Sequence, residues 1–187
     1  MNFKLIKTKK NLNKNYKIIS NKITSSIFIH LGFNFFKLLV QKDIIHIYNV
    51  KLKNKIVVII TVVEYKHYKI LSKKIFYHLI QNPLIIIKNF FFLVESLKKN
   101  TNLKINKNYL HLLHLIILKN NFLNISIKKK DALLTKFYKK ILKNHKANQL
   151  FLCFEKNNLK AYRYYSRNKF KIFNKNTNIV YLKKKFD

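Results

Sequence analysis

Glycine and acidic residues are scarce in this sequence. It contains a single glycine, Gly32, and 6 acidic residues against 40 lysines and arginines among 187 residues. A phosphate-cradling loop needs several glycines, so no nucleotide-binding loop of that kind is predicted. The acids Glu64, Glu95 and Asp131 are too scattered to indicate an acid/base pair. We therefore predict a protein with no catalytic role and no cofactor.

Cysteine is equally sparse, since Cys153 stands alone. This excludes a disulfide framework and a CxxC metal site. His111 and His114 are spaced to share one helix face, but no nearby cysteine or acid completes a set of ligands. The sequence thus predicts no metal site, and Cys153 is interpreted as a core residue of a strand.

Long apolar runs are also missing. A membrane-spanning helix needs about 20 apolar residues, and the longest runs here are shorter. The runs at 56–63 and 90–94 have the length of strands, and the run at 110–118 contains two histidines. The chain starts MNFKLIKTKK, without the apolar core of a signal peptide, and it is too poor in Arg and Ala for a typical transit peptide. A transmembrane segment is not expected, and synthesis inside an organelle is favoured if the protein works there.

Positively charged residues are the most prominent feature of the composition. The formal net charge is +34, while 49% of the residues are hydrophobic, so the chain can form a core although its charges repel one another. The prevalence of Lys, Asn, Ile, Phe, Tyr and Leu indicates an AT-rich genome. That bias does not explain the shortage of acids. RNA is the simplest counter-polyanion, and an anionic membrane surface is the alternative.

Hydrophobic periodicity divides the chain into three parts. They are a basic N-terminal extension at 1–54, an α+β core domain at 55–155 and a basic, aromatic C-terminal tail at 156–187. Within the core the pattern predicts strands at 55–65, 84–96, 122–127 and 150–155 and helices at 67–81 and 130–144, and it leaves 109–118 open between strand and helix. The order βαββαβ predicts a ferredoxin-like split βαβ sandwich.

Basic segments are the candidate RNA contacts. The tail sequence KAYRYYSRNKFK interleaves cations with aromatic rings, which suits phosphate contacts and stacking on bases. The connection at 97–108 holds four lysines and no acid. A solvated surface is the alternative for both segments. The predicted RNA-binding residues are Lys9, Lys10, Lys98, Lys99, Lys104, Lys107, Tyr162, Arg163, Tyr165, Arg167, Lys169 and Lys171.

Three motifs resemble the family of small-subunit ribosomal protein ten. KIVVIITVVEYKHYKILSKKI is similar to the family's first strand and helix, NPLIIIKNFFFLVES matches the ends of a later strand through Pro83 and Ser96, and the DAL at 131–133 matches a helix start. The resemblance covers roughly 55–155 and lacks the family's strand glycine, its Ser-Pro-His hook motif and its Arg-rich third strand. It implies ribosomal RNA and neighbouring ribosomal proteins as partners, with no small-molecule substrate.

The sequence therefore predicts a structural constituent of the small subunit of a mitochondrial ribosome that binds ribosomal RNA by phosphate neutralisation. A plastid-type organelle is the alternative location. The alternatives for function are another ribosomal protein of either subunit and a membrane-associated assembly or respiratory-complex subunit. A divergent nucleic-acid enzyme would need clustered acids to hold metal, which the sequence lacks.

Overall fold

A computed structural model describes residues 3–23, 30–82, 108–118, 125–175 and 178–186. Seven strands and five helices lie within these residues. In chain order they are β1 (Phe3–Thr8), α1 (Leu12–Lys22), α2 (Gly32–Gln41), β2 (Ile45–Leu52), β3 (Lys55–Glu64), α3 (Tyr65–Gln81), β4 (Tyr109–Ile117), α4 (Ile127–Asn144), β5 (Gln149–Glu155), α5 (Leu159–Arg167), β6 (Lys171–Lys175) and β7 (Ile179–Lys185).

The seven strands form one mixed sheet in the order β1-β2-β3-β4-β5-β7-β6. Neighbouring strands are antiparallel except β4 and β5, which run parallel. A parallel pair needs a long crossover, which the 18-residue helix α4 supplies. By contrast, β2 and β3 are joined by a two-residue turn at Lys53 and Asn54, both with positive φ, as a tight hairpin requires.

Helices cover both faces of the sheet and enclose two hydrophobic cores. On one face α4 presents apolar residues spaced three and four apart, and α5 adds Tyr165. The buried residues of α4 are Leu134, Phe137, Tyr138, Ile141 and Leu142. On the other face α1 and α2 pack on the sheet, and α3 contributes Leu71 and Leu79. Because both faces are covered, β3 is buried from Val57 to Val63, which explains its uninterrupted apolar sequence.

The basic segments at both ends of the chain are strands and helices of this fold. β1 and β6 are the two edges of the sheet, and they carry Lys4, Lys7, Lys171 and Lys175. Lysines on an edge strand discourage pairing with another chain. The sheet draws strands from all three parts into which the sequence analysis divided the chain, and that division stays a prediction.

The predicted ferredoxin-like βαββαβ sandwich is wrong. The described part of the chain holds seven strands, and helices lie on both faces of their sheet. Sequence patterns missed β1, β6 and β7 because lysines interrupt their apolar positions. None of the helices in the described ranges is both long enough and apolar enough to cross a lipid bilayer.

Several individual elements were predicted correctly. The strands at 55–65 and 150–155 and the helices at 67–81 and 130–144 are confirmed, with small shifts at their ends, and 109–118 proves to be a strand. The predicted strand at 122–127 is wrong at its described end, because Ile127 begins α4. The predicted strand at 84–96 lies outside the described residues.

Candidate functional site

Strands β4 and β5 lie side by side at one end and separate toward the other. Their parallel pairing covers only three residue pairs, the last of which joins His111 to Phe151. Beyond it, residues 112–117 of β4 and 152–155 of β5 pair with β3 and β7 but not with each other. We name the space between these two segments the β4–β5 cleft. Among the described residues no strand pairs with this edge of β4, and such an edge can accept an extended ligand through its backbone groups.

A β-bulge in β4 lies directly after the paired residues. In the register with β3, Thr61 is opposite His114 and Val62 is opposite Leu112, so Leu113 is the extra residue. A bulge bends its strand and turns backbone groups away from the ladder. The bulge therefore accounts for the divergence of β4 from β5 and places irregular backbone amides at the narrow end of the β4–β5 cleft.

Two buried histidines of β4 flank this bulge. The ring of His111 lies 4.8 Å from the ring of Phe151, and Nδ1 of His114 lies 2.7 Å from the hydroxyl oxygen of Thr61. Burial lowers the pKa of His111 to about 3, with His114 adding to the effect, and burial lowers the pKa of His114 to about 4. Both imidazoles are therefore neutral at pH 7, and a neutral imidazole can accept a proton.

The first turn of α4 carries positive charge near the open end of the β4–β5 cleft. The residue after α4, His145, contacts Glu64 near the paired end of the strands, so α4 runs back along the sheet from the open end. Ser126 caps the helix by accepting a hydrogen bond from the backbone N–H of Lys129 at 3.4 Å, and residues 128–130 are all lysines. Free N–H groups at a helix start favour anions, and lysines strengthen that preference.

Helix α5 packs against the diverging half of β5. Asn158 caps it, because its side chain accepts a hydrogen bond from the N–H of Ala161 at 3.0 Å. Tyr165 is 8% exposed, its ring lies 5.7 Å from that of Phe154, and it interacts electrostatically with Cys153. Burial raises the pKa of the Tyr165 hydroxyl far above its ordinary value. The hydroxyl therefore stays protonated and can donate a hydrogen bond.

A second cluster lies at the paired end of the strands, away from the β4–β5 cleft. His46 of β2, Glu64 at the end of β3 and His145 after α4 bring ligand-type atoms within 4.8 Å of one another. Burial opposes ionisation of Glu64, but hydrogen bonds with Lys66 and His145 outweigh it and lower the pKa of Glu64 to about 2. Sequence patterns could not group these residues, because only the fold brings positions 46, 64 and 145 together.

The residues predicted to bind RNA do not form one surface in the described part of the chain. Lys9 and Lys10 follow β1 at one edge of the sheet, and Lys171 belongs to β6 at the other edge. Lys9 forms an ion pair with Asp43. Four further predicted residues, Lys98, Lys99, Lys104 and Lys107, lie outside the described residues.

The predicted residues near α5 fall into two groups. Tyr162, Arg163 and Lys169 are exposed. Tyr165 is buried, so its ring is not available for stacking on bases, and Arg167 forms an ion pair with Asp131 at 2.5 Å. The alternation of aromatic and basic residues in this segment thus arises from a helix with a buried face and a solvated face.

Comparison with solved structures identifies the fold. PseH N-acetyltransferase of Campylobacter jejuni, solved with acetyl coenzyme A, matches with a TM-score of 0.58 and 16% identity over 100% of both chains. PaiA N-acetyltransferase of Thermoplasma acidophilum, solved with coenzyme A, matches with a TM-score of 0.56 and 15% identity over 100% of both chains. The aminoglycoside acetyltransferase AAC(6')-Ib matches with a TM-score of 0.61 and 8% identity over 99% of this chain and 94% of its own. No family model and no curated protein matches the sequence.

The chain therefore has the fold of the GNAT acetyltransferases. This finding overturns the resemblance to small-subunit ribosomal protein ten, whose motifs were too short to distinguish two α+β folds. It also overturns the predicted ribosomal role, the alternatives to it and the RNA partner, because the solved structures that the chain matches are described as acetyltransferases. The expectations of no enzyme activity and of no small-molecule substrate are corrected on the same ground.

Proposed function

We propose that this protein is an N-acetyltransferase that binds acetyl coenzyme A in the β4–β5 cleft and transfers its acetyl group to an amine. The observation that carries the proposal is the divergence of two parallel strands after three residue pairs. It occurs in a fold whose solved examples include complexes with acetyl coenzyme A and coenzyme A.

The cleft suits both halves of coenzyme A. The pantetheine arm is extended and contains two amides, so it can lie along the uncovered edge of β4 as an additional strand would. The phosphates carry several negative charges. The cluster of lysines at 128–130, at the positive end of the α4 helix dipole, matches them in charge and hydrogen-bonding capacity.

The transfer reaction needs three groups that the site can supply. The amine nitrogen attacks the thioester carbonyl carbon, and backbone N–H groups at the Leu113 bulge would stabilise the resulting oxyanion. The carbon–sulfur bond then breaks while the new amide bond remains. The amine gives up a proton to a base such as the neutral His114, while the Tyr165 hydroxyl donates a hydrogen bond to the leaving coenzyme A thiolate, which takes its proton from water.

A binding experiment with charge-reversed variants tests the donor site. Isothermal titration of the full chain with acetyl coenzyme A should show one site, and the variant Lys128→Glu/Lys129→Glu should raise its Kd by about tenfold or more, since charged hydrogen bonds contribute about 1.5–3 kcal/mol each. The variant Lys136→Glu/Lys140→Glu makes the same charge change on exposed positions further along α4 and is the control.

Activity is then followed as release of the free coenzyme A thiol in the presence of candidate amines. Absence of acetyl coenzyme A binding at millimolar concentration, or an equal loss in the control variant, would contradict the proposal. The mitochondrial location, with a plastid-type organelle as alternative, stays a prediction.

A further inference from the structure

We propose that His46, Glu64 and His145 form a zinc site that joins β2, β3 and the end of α4. The side chains of His46 and His145 are 5% and 3% exposed, and that of Glu64 is 20% exposed. Two imidazoles and one carboxylate are an established donor set for zinc, with the fourth position open to water. The inference is independent of the proposed acetyl transfer, because this cluster lies at the paired end of β4 and β5.

The two distances from Glu64 fit a bound ion after a small adjustment, and all three ligand atoms lie within 4.8 Å of one another. Oε1 of Glu64 lies 3.7 Å from Nε2 of His46 and 2.5 Å from Nδ1 of His145. Ligand bonds of about 2.1 Å in a tetrahedral site place neighbouring ligand atoms roughly 3.4 Å apart. The distance from Glu64 to His46 already approaches this value, and a movement of the carboxylate by about 1 Å would lengthen the distance from Glu64 to His145 to the same value.

His46 supplies the second observation. Both of its ring nitrogens are buried, and neither has a hydrogen-bond partner. Leaving a buried polar group without a partner costs about 1–3 kcal/mol, and such groups are rare in folded proteins. An ion bound to Nε2 gives that nitrogen a partner. The other nitrogen, Nδ1, lies 3.6 Å from the carboxylate of Asp43, which can orient the ring.

Tyr48 orients the other imidazole. Its hydroxyl oxygen lies 2.8 Å from Nε2 of His145, which leaves Nδ1 of that ring directed at Glu64. Histidines that bind metals usually make such a hydrogen bond through the second ring nitrogen. The pairing therefore presents one defined nitrogen of His145 to the proposed ion.

The charges around the cluster set its expected affinity. Nζ of Lys66 lies 2.8 Å from Oε2 of Glu64, and this positive charge opposes a cation. The backbone N–H of His145 donates to the carbonyl groups of Ile141 and Leu142 at the end of α4, where the negative end of the helix dipole favours a cation. We expect a site weaker than the four-ligand structural sites of zinc-dependent domains.

Metal titration of the full chain tests the proposal. After treatment with chelator, Co²⁺ should bind at one ion per chain and produce the visible absorption of a four-coordinate site, and Zn²⁺ should displace it. At a hundredfold excess over its Kd, Zn²⁺ should raise the Tm by roughly 5–10 °C. His46→Gln and Glu64→Gln should each weaken Co²⁺ binding by more than tenfold, and Tyr48→Phe should weaken it by about tenfold.

The control is His114→Gln, which also removes a buried histidine but lies outside the cluster. It should bind Co²⁺ as the unchanged protein does, and circular dichroism confirms that each variant is folded. Binding that is not stoichiometric, or that persists in both His46→Gln and Glu64→Gln, overturns the proposal and leaves the cluster as a hydrogen-bonded contact. Binding of acetyl coenzyme A, measured on the same samples, should not depend on the metal.

Discussion

The two ends of the β4–β5 pair differ in how their polar groups are used. At the paired end, Glu64 bonds to His145 and Lys66, and His145 bonds to Tyr48, so side chains from distant parts of the sequence hold one another in place. At the open end, the strands separate after His111, and the nearest helix starts with lysines. Polar groups satisfied within the protein contribute to stability, whereas groups left for a ligand contribute to binding. Changes at the two ends should therefore affect different properties.

The largest expected effect is a loss of stability in acid caused by the histidines between the two ends. Burial lowers the pKa of His111 to about 3 and that of His114 to about 4, against about 6.5 in the unfolded chain. Between pH 6.5 and 4 the unfolded chain binds more protons than the folded protein, so stability falls as the pH falls. One such histidine costs about 1.6 kcal/mol between pH 6.5 and 5, and the two together cost about 3.

Urea denaturation at pH 7, 6 and 5 measures this dependence. In His114→Asn, where the amide can still bond to Thr61, the loss of stability between pH 7 and pH 5 should be smaller by about 2 kcal/mol. An unchanged slope in this variant would show that folding does not alter the pKa of His114.

The next largest effect concerns catalysis at the open end alone. Tyr165→Phe removes the hydroxyl that we assign to stabilising the leaving coenzyme A thiolate. We expect kcat to fall by about 10²–10³-fold, the usual cost of removing one hydrogen-bond donor to developing negative charge, with little change in the KM for acetyl coenzyme A. The rate of release of the coenzyme A thiol at saturating acetyl coenzyme A measures kcat.

Tyr164→Phe is the matched control for this change. Its hydroxyl lies 3.3 Å from that of Tyr138, so its removal should cost about 1 kcal/mol of stability and leave kcat unchanged. A common loss of kcat in both variants would mean that the packing of α5, and not the Tyr165 hydroxyl, supports activity.

At the paired end the expected effect is on stability and not on rate. In buffer with chelator, Glu64→Gln should lower the free energy of unfolding by about 2 kcal/mol, because charged hydrogen bonds to His145 and Lys66 are lost. Glu155→Gln makes the same charge change on an exposed residue and should stay within about 0.5 kcal/mol. A fall in kcat for Glu64→Gln at a temperature where the variant is folded would show that the paired end also affects the rate, contrary to this prediction.

The sequence is sufficient to predict the helices and strands with strong hydrophobic periodicity, but it is not sufficient to predict the site. β3 and α4 have apolar patterns of strand and helix type that their burial confirms. β1 and β6 were missed because an edge strand exposes much of its surface and carries lysines, which resemble a disordered basic segment. The fold class depends on these edge strands, so it was predicted wrongly.

The candidate site was missed for a different reason. The β4–β5 cleft is defined by the residue at which β4 and β5 stop pairing and by a bulge at Leu113. No residue type in the sequence marks either feature. Scarcity of glycines and acids indicated the absence of a catalytic site, but acyl transfer can rely on backbone N–H groups, a tyrosine and a histidine. One signal was available: a serine followed by three lysines within four residues, at the start of the strongest helix, is typical of an anion site.

The smallest expected effect concerns the helices that flank the open end. Arg167 at the end of α5 bonds to Asp131 near the start of α4 through Nε at 2.5 Å and through Nη2 at 3.2 Å. The side chain of Arg167 is 46% exposed, so solvent and salt screen the pair, and Asp131→Asn should cost only about 0.5–1 kcal/mol. Urea denaturation should show this loss in 50 mM salt and little of it in 1 M salt, with Asp43→Asn, which breaks an exposed pair near β1, as a comparison. If Asp131→Asn raised the KM for acetyl coenzyme A by more than about twofold, the ion pair would hold the flanks of the cleft in position, and the open end would share the structural role that we assign to the paired end.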